Sequence, residues 1–528
     1  MLSRVLGMVR DMAIWAFGAT RATDAFWTAF SVPNLFRRLF GEGALSAAFV
    51  PVFTEIAERD GWDRARAVLA NVAGLLGLLL AAIMLVVELG LLLWLLVGPP
   101  ARDWQLLVQL TMLMLPFMLT VCLLALASAA LNCKGHFAYP AFAPILLNVS
   151  LIAGAYVAHR FFSGGGRRGL FVLAVSVVVA GVVQLVGVVW LLRSVRLGVV
   201  PRLRPVLPAA RRIAALALPM MIPLGILQFS AFFDRIYAWL MSATPESPAL
   251  VLGGVSIAKP LEAGVVTWLY AANRLYQFPL GILAISVATA VFPLFSRYAA
   301  RGDVAGLRAA TNRALRLSLF MAVPAGVGLY LLAEPAVTLI CGHGRFADNP
   351  DAVPRTAKIL QMYCLGMWAY FCNHILLRAF FAQKDTRTPL RVACLLALAN
   401  MVMVMTLIFT PLRARAIGLA TACTASVNVL ALVWVLRRRW GALGLGEILL
   451  SLARTAAGSA ALAGAVLVVG HYLRQTADGL APKAGAGLIV AAAVPAGVVA
   501  FLAAAMLLRC RELPELLRRP GGHEDKTL

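Results

Sequence analysis

Apolar stretches of 20 or more residues recur along this chain from end to end, and that restricts it to two architectures. In a bilayer every backbone N–H and C=O has to be satisfied within the protein, so a spanning segment is an α-helix or a strand of a closed barrel. No stretch shows the two-residue alternation of barrel strands. The reading is an all-α polytopic membrane protein, in keeping with a composition that is 62% hydrophobic and 13% charged.

Fourteen spans are predicted, at roughly 1–20, 24–57, 65–97, 104–131, 139–161, 169–192, 211–242, 262–298, 312–340, 356–382, 388–410, 415–436, 448–473 and 484–508. The net charge of +24 does not point to nucleic acid, because the basic residues fall in short clusters between spans. With the N-terminus inside, the inner loops and the tail hold about 25 Lys and Arg against about 13 on the opposite side. Both termini are therefore expected on the cytoplasmic side, although Arg160, Arg167 and Arg168 in one outer loop run against the bias. The eight cysteines are scattered without a C-x-x-C pair and the six histidines show no ligand spacing, so no metal site is read from them. The first apolar stretch carries Arg4, Arg10 and Asp11 and does not read as a cleavable signal peptide.

Charge within those spans is the next constraint. Arg4, Arg10, Asp11, Asp24, Arg37, Arg38 and Glu42 lie in the first 58 residues, inside otherwise apolar segments. An arginine facing lipid at the bilayer centre costs about 2.5–3.5 kcal/mol, so these residues are expected to line a wet cavity or to pair with one another. Two spans are too long for the bilayer: 24–57 would make a helix of about 50 Å against a hydrocarbon core of about 30 Å. Pro33 and Gly41-Glu42-Gly43 supply breaks there, and Pro279, Gly281 and Pro293 supply them in 262–298. Broken helices at membrane depth are tolerated where they line a cavity.

The chain also repeats itself. AFVPVFTEIAERDG at 48–61 matches AVFPLFSRYAARGD at 290–303, with Pro51 on Pro293, Phe53 on Phe295 and Arg59 on Arg301. A weaker echo relates Lys134 and Pro140 to Lys384 and Pro389. The expected architecture is two six-helix lobes, 1–205 and 206–440, related by a pseudo-twofold axis along the membrane normal. A two-helix hairpin at 441–510, rich in Ala and Gly, and a cytoplasmic tail at 511–528 follow.

By helical rise, Arg10 and Arg37 reach similar depth in the inner half of the bilayer, and Arg274 in the second lobe is placed to face them across the cavity. Arg4 lies near the cytoplasmic mouth, seven residues from Asp11 on one helix face, so the two are placed to partner each other. Guanidinium presents a planar fork of donors suited to phosphate oxygens, so Arg4, Arg10, Arg37 and Arg274 together suit a diphosphate. Arg38, Asp11 and Glu42 are read as structural pairs. Nothing resembles a nucleophile with its base, a paired-carboxylate site or a phosphate-cradling glycine loop, so an enzyme is not expected.

SRVLGMVRD at 3–11, ATDAFWTAFSVPNLFRRLFGEGALSAAFVPVF at 22–53, NCKGHFAYPAFAPILLN at 132–148 and NRLYQFPLGILAISVATAVFPLFS at 273–296 closely resemble the MurJ/MviN lipid II flippase family. The resemblance implies the fold of the multidrug/oligosaccharidyl-lipid/polysaccharide exporter superfamily. It also implies movement of lipid II, the undecaprenyl-diphosphate-linked peptidoglycan precursor, to the outer leaflet of the bacterial inner membrane by alternating access, by a monomer among membrane lipids. The family's cavity arginines fall on Arg4, Arg10, Arg37 and Arg274, with Asp24 an acidic partner near the outer gate. The terminal hairpin would supply a groove for the lipid tail. No cofactor is implied, except that some relatives hold a sodium ion, for which Asp234 is the matching carboxylate and Asn400 and Thr421 its companions. Departures are that the chain starts almost directly at Ser3, that Asn273 and Gln277 flank Arg274 where some relatives carry acids, and that no second carboxylate stands near Asn400. Export of another polyprenyl-linked saccharide or a drug, and a non-transporting envelope scaffold, are the competing readings.

Overall fold

The computed structural model describes residues 2–41, 44–98, 102–162, 166–252, 255–477 and 479–517. It is helical almost throughout and divides into two compact units, Met1–Thr267 with Gly344–Asn349, and Trp268–His343 with Pro350–Leu528. Among the described residues eleven helices are long and apolar enough to cross a membrane. The three expected spans outside that set have particular reasons. The first forms only the 14-residue α1 (Leu2–Trp15). The tenth divides at Gly366 into α14 (Ala352–Leu365) and α15 (Met367–Ala382). The seventh, α8 (Pro208–Leu240), includes side chains outside the described set.

In the first unit α1 is followed by α2 (Arg21–Phe36), α3 (Ala44–Arg59), α4 (Trp62–Val97), α5 (Arg102–Cys133), α6 (Ala138–Phe161), α7 (Arg167–Ser194) and α8. The centre is α5: 67% of its most apolar window is buried, against 11% of that of α4. Thus α5 is a core helix, while α4 turns Leu85, Val86, Leu93 and Leu96 outward as a lipid-facing surface. Sequence reading placed no strands after α8, yet β2 (Ala249–Leu252) and β3 (Val255–Ala258) pair as short antiparallel strands. The two-residue β1 (Ser242–Ala243) and β4 (Leu261–Glu262) pair in parallel.

The second unit takes in most of α9 (Val265–Pro279), then α10 (Ile285–Ala300), α11 (Val304–Leu331) and α12 (Ala333–Cys341). The short α13 (Arg345–Asp348) belongs to the first unit. After α14 and α15 come α16 (Arg387–Leu407), α17 (Arg415–Trp440), the hairpin α18 (Leu445–Ala477) with α19 (Pro482–Leu507), and α20 (Glu512–Leu517). One core joins α10, α11, α15 and α17 through residues such as Phe295, Leu315, Phe380 and Leu432. A second seats the hairpin on α11 and α12 through Phe320, Leu332, Val466 and Phe501. Within the hairpin the small residues serve close approach, since a Cβ on Gly497 would come 2.9 Å from Val466.

Both overlong spans are interrupted alike, by a π turn, and not at every expected break: Pro33 and Pro293 lie inside the uninterrupted helices α2 and α10. A π-helical turn, Arg37–Gly41, follows α2, and another, Leu280–Ala284, separates α9 from α10. Their starting points fall one residue off the 242-residue register of the repeat. A π turn adds a residue to the helical circuit and redirects the side chains beyond it, which suits positions where a helix must bend around a site.

Helix ends carry a second regularity. Of the fourteen expected spans, every even-numbered one closes on a residue with positive φ, at Gly61, Gly135, Arg196, Gly302, Lys384, Gly441 and Arg509. At five of these ends the next amide reaches back five residues, as in His136 to Leu131 (2.9 Å) and Asp385 to Phe380 (3.1 Å), the bond of a Schellman cap. These are the ends where Lys and Arg concentrate, so basic side chains sit beside helix C-termini whose dipoles favour them. The caps also refine the weaker sequence echo. Gly135 and Lys384 are equivalent, in the register that Pro140 and Pro389 share, and Lys134 is offset from Lys384 by one residue.

Candidate functional site

The charged residues of the first unit are built into three small constructions. On α1, Arg10 is only 9% exposed and Asp11 is fully buried. Nε and Nη2 of Arg10 donate to one Asp11 carboxylate oxygen at 2.9 and 2.6 Å, and Nη1 donates to the Asn148 amide oxygen at 3.1 Å. Asn148, on α6, in turn donates to the Ser3 carbonyl at 3.1 Å and so ties α6 to the start of α1. A buried guanidinium is tolerable only when paired and hydrogen-bonded, and here both conditions hold. Asp11 thus engages the adjacent arginine, a pairing that its seven-residue spacing from Arg4 did not indicate. Arg4 itself is exposed. Asn148 escaped sequence reading, although an amide in an apolar span is a signal of the same kind as a buried charge.

The second construction surrounds Asp24. α2 opens with a capping box in which the Thr20 side chain accepts from the Thr23 amide and the Thr23 hydroxyl from the Thr20 amide. Asp24 is fully buried one residue further on. Its carboxylate accepts from the amides of Gly264 and Thr267 at 2.7 and 2.8 Å and from the Thr267 hydroxyl at 2.7 Å. It therefore caps the first turn of α9 from another helix, satisfying donors that have no partner within α9. Beside it, Arg21 donates to the Trp239 carbonyl at 2.8 Å, lies 3.4 Å above the Trp239 ring and approaches Asp103 at 3.5 Å. Trp104 packs edge-on to Trp239, and Trp94 to Trp104. Such a tryptophan and arginine cluster at helix ends suits the headgroup level of a bilayer. Lys259, in the strand region nearby, donates to the Ser247 hydroxyl at 2.7 Å, and burial together with the charge of Arg21 pushes its ammonium below the ordinary lysine range. Neither Arg21 nor Trp239 was singled out from sequence, because their meeting spans more than 200 residues of chain.

The third is the π turn. Arg37 is half-buried and its Nε donates to the Asn34 amide oxygen at 3.2 Å, while Asn34 donates to the Phe30 carbonyl at 2.9 Å. Arg38 is exposed and donates to Gln228 on α8 at 3.0 Å. The two adjacent arginines thus diverge in burial, as the offset between neighbours on a helix dictates. Glu42 lies outside the described residues.

In the second unit Arg274 is half-buried on α9, six residues before the π turn. Two residues on, Tyr276 is sandwiched by Tyr363 (4.8 Å) and Tyr370 (5.1 Å), and Gln277 donates to Asn273. The stacked tyrosines fix this turn of α9 against α14 and α15. Arg4, Arg10 and Arg37 therefore belong to one unit and Arg274 to the other.

The residues suggested for sodium divide likewise. Asp234 is half-buried on α8 of the first unit, while Asn400 and Thr421 stand on α16 and α17 of the second. Thr424 donates to the Asn400 amide oxygen at 3.5 Å, and Thr421 to the Ile417 carbonyl at 2.9 Å. Neutral oxygens on two adjacent helices fit a hard cation in kind. Among the described residues no group of three or more His, Cys, Asp or Glu gathers in a metal-holding arrangement.

Comparison with known proteins bears on the whole chain. A family model described as "Lipid II flippase MurJ" matches residues 14–480. A probable lipid II flippase MurJ of Bdellovibrio bacteriovorus is 30% identical, covering 98% of this chain and 94% of that protein. The lipid II flippase MurJ of Burkholderia cenocepacia is 30% identical over 83% of this chain and 82% of its own length. Among solved structures, a lipid II flippase MurJ in an inward closed conformation superposes with a TM-score of 0.75 at 21% identity, covering 98% of both chains. An inward-facing multidrug transporter of the MATE family and MOP superfamily superposes at 0.65 with 15% identity, over 83% of this chain and 95% of its own. At those identities the two structures speak to the fold alone.

Proposed function

This chain belongs to the lipid II flippase MurJ family, and on that premise we propose that it carries lipid II from the inner to the outer leaflet of the bacterial inner membrane by alternating access. It is a transporter and not an enzyme, it works as a monomer with both termini cytoplasmic, and Arg4, Arg10, Arg37 and Arg274 receive the diphosphate of the headgroup. What supports the site is Arg10. A guanidinium 9% exposed in an apolar helix is costly to retain, and its orientation is fixed by Asp11 and Asn148 together. An arginine held in that way meets phosphate oxygens without having to be ordered first. One π turn contains Arg37 and the other follows the helix that carries Arg274, giving each a local place to flex as access alternates.

The test is rescue of cells depleted of their own flippase. Arg10→Ala and Arg37→Ala are expected to abolish rescue at normal membrane abundance, and full rescue by both overturns the site. A sodium ion on Asp234, Asn400 and Thr421 is a separable part of the proposal. Sodium-dependent protection against thermal unfolding, lost in Asp234→Asn, supports it, and sodium-independent melting of the intact chain refutes it.

A further inference from the structure

One part of the sequence pattern is left over by the transport reading: Arg160, Arg167 and Arg168, which crowd the turn between α6 and α7 on the side where basic residues are otherwise few. In the structure Phe162 and Arg168 stand at one end of a groove of about 680 Å³ that runs between the two helices. Its walls are Val157, Val175 and Val179, the latter two 46% and 48% exposed, with Phe162 at the mouth. Its floor is the contact of Gly154 with Ser176, where a Cβ on Gly154 would come 2.0 Å from the Ser176 hydroxyl. The floor's hydroxyls are already spent: Ser150 donates to the Ser176 carbonyl and Ser176 to the Val172 carbonyl, both at 2.8 Å. Apart from Arg168 at one end, the groove therefore offers only apolar surface.

The three arginines at that end differ. Arg167 donates to Gln109 at 3.0 Å and Arg160 lies over the Phe161 ring, whereas Arg168 is exposed and makes no hydrogen bond or ion pair among the described residues. From Arg168 to Val179 the helix rises about 16 Å. That is about one leaflet of a 30 Å hydrocarbon core, with the guanidinium at headgroup level and the groove at acyl depth. A cation without a partner among the described residues, at the end of an apolar trough one leaflet long, is complementary to a phosphate joined to an alkyl chain.

We propose that the α6–α7 groove binds one acyl chain of an anionic bilayer phospholipid, whose phosphate is held by Arg168. This lipid is a resident of the membrane and distinct from the transported one, so the site is independent of the cavity arginines.

The test titrates the purified full-length protein with phosphatidylglycerol and with phosphatidylcholine of identical chains, counting bound lipids by native mass spectrometry with no lipid II present. The intact chain is expected to hold one phosphatidylglycerol about fivefold more tightly than phosphatidylcholine, the scale of one interfacial arginine. Arg168→Gln, an exposed and structurally mild change, should erase that preference while leaving phosphatidylcholine bound. Val175→Trp, which fills the groove, should remove one lipid of either kind, and Ala153→Trp, at another lining position of the same groove, repeats the test if Val175→Trp melts early. Glycerophosphate, which has the headgroup without chains, should not compete. Retained preference in Arg168→Gln, an unchanged lipid count in both tryptophan variants, or displacement by glycerophosphate each overturns the proposal. Because the readout is binding without lipid II, its outcome is distinguishable from failure of the transport reading.

Discussion

The carboxylate of Asp24 and the first turn of α9 are joined through Thr267, whose amide and hydroxyl donate to Asp24 Oδ1 at 2.8 and 2.7 Å, while Oδ2 takes the Gly264 amide at 2.7 Å. A single buried side chain on α2 thus terminates a helix more than 240 residues away in sequence. Removing it leaves amides without partners in a dry environment, at a cost of about 1–3 kcal/mol for each orphaned group. Asp24→Ala is therefore expected to lower the thermal unfolding midpoint in detergent clearly, and Thr267→Val by less, since the amide bonds survive. Equal melting of Asp24→Ala and the intact chain would contradict the capping role.

A second prediction concerns how Arg10 is held. Its fork reaches Asp11 and Asn148 at once, a geometry that a lysine ammonium on a flexible stem does not reproduce. Arg10→Lys should therefore keep charge and abundance yet lose most of the affinity for lipid II, and Asn148→Leu should show a milder loss of the same kind. Binding of fluorescent lipid II to purified variants measures both, and wild-type affinity in Arg10→Lys would show that charge alone suffices.

At the C-terminal end, α20 is fastened by a nearly buried carboxylate. Glu512, 2% exposed, accepts from Arg316 on α11 and from Ser451 on α18, both at 2.9 Å, whereas the neighbouring Arg313–Glu515 pair is open to solvent. Breaking a buried pair from one side costs about 3–5 kcal/mol, because the other charge is stranded. An exposed pair contributes about 0–1 kcal/mol. Glu512→Ala should thus lower the melting point markedly and Glu515→Ala hardly at all, and the reverse order would remove α20 as a fastening of the hairpin.

Acid should act at the loop between α15 and α16. Desolvation raises the Asp385 carboxyl, but the hydroxyl and amide of Thr388 and the Arg439 guanidinium at 2.6 Å outweigh it and hold the group at about 2, below its ordinary value of 3.8. A folded-state value below the unfolded one means stability that is present above about pH 4 and lost as pH falls towards 2. The melting point should therefore drop between pH 4 and pH 2 more steeply in the intact chain than in Asp385→Asn. Parallel curves for the two would exclude this pair as the source.

Much of the fold was legible because bilayer physics leaves few choices: span positions follow from apolar length, and the two π turns fall within one residue of the register that Pro51 and Pro293 share. Both long spans were expected to break; Gly41, Pro279 and Gly281 fall at or beside the interruptions, whereas Pro33 and Pro293 lie inside continuous helices. That the breaks are π turns was not legible, since an added residue per turn leaves no compositional mark. The arginines stood out through the cost of burying charge, but their partners did not. Asn148 lies 138 residues from Arg10, and Thr267 lies 243 from Asp24, and a single sequence carries no signal for contacts at such separation. The strands at 249–258 were missed because PALVLGGVSIAKP between two spans reads as loop.

The central claim is transport of lipid II through a site that includes Arg10. It is tested most directly by leaflet-resolved accessibility of lipid II in cells depleted of their own flippase and carrying this chain. The precursor should become accessible at the outer surface with the intact chain and remain inside with Arg10→Ala at equal abundance. Precursor that stays inside with the intact chain, or that emerges equally well with Arg10→Ala, would contradict the account.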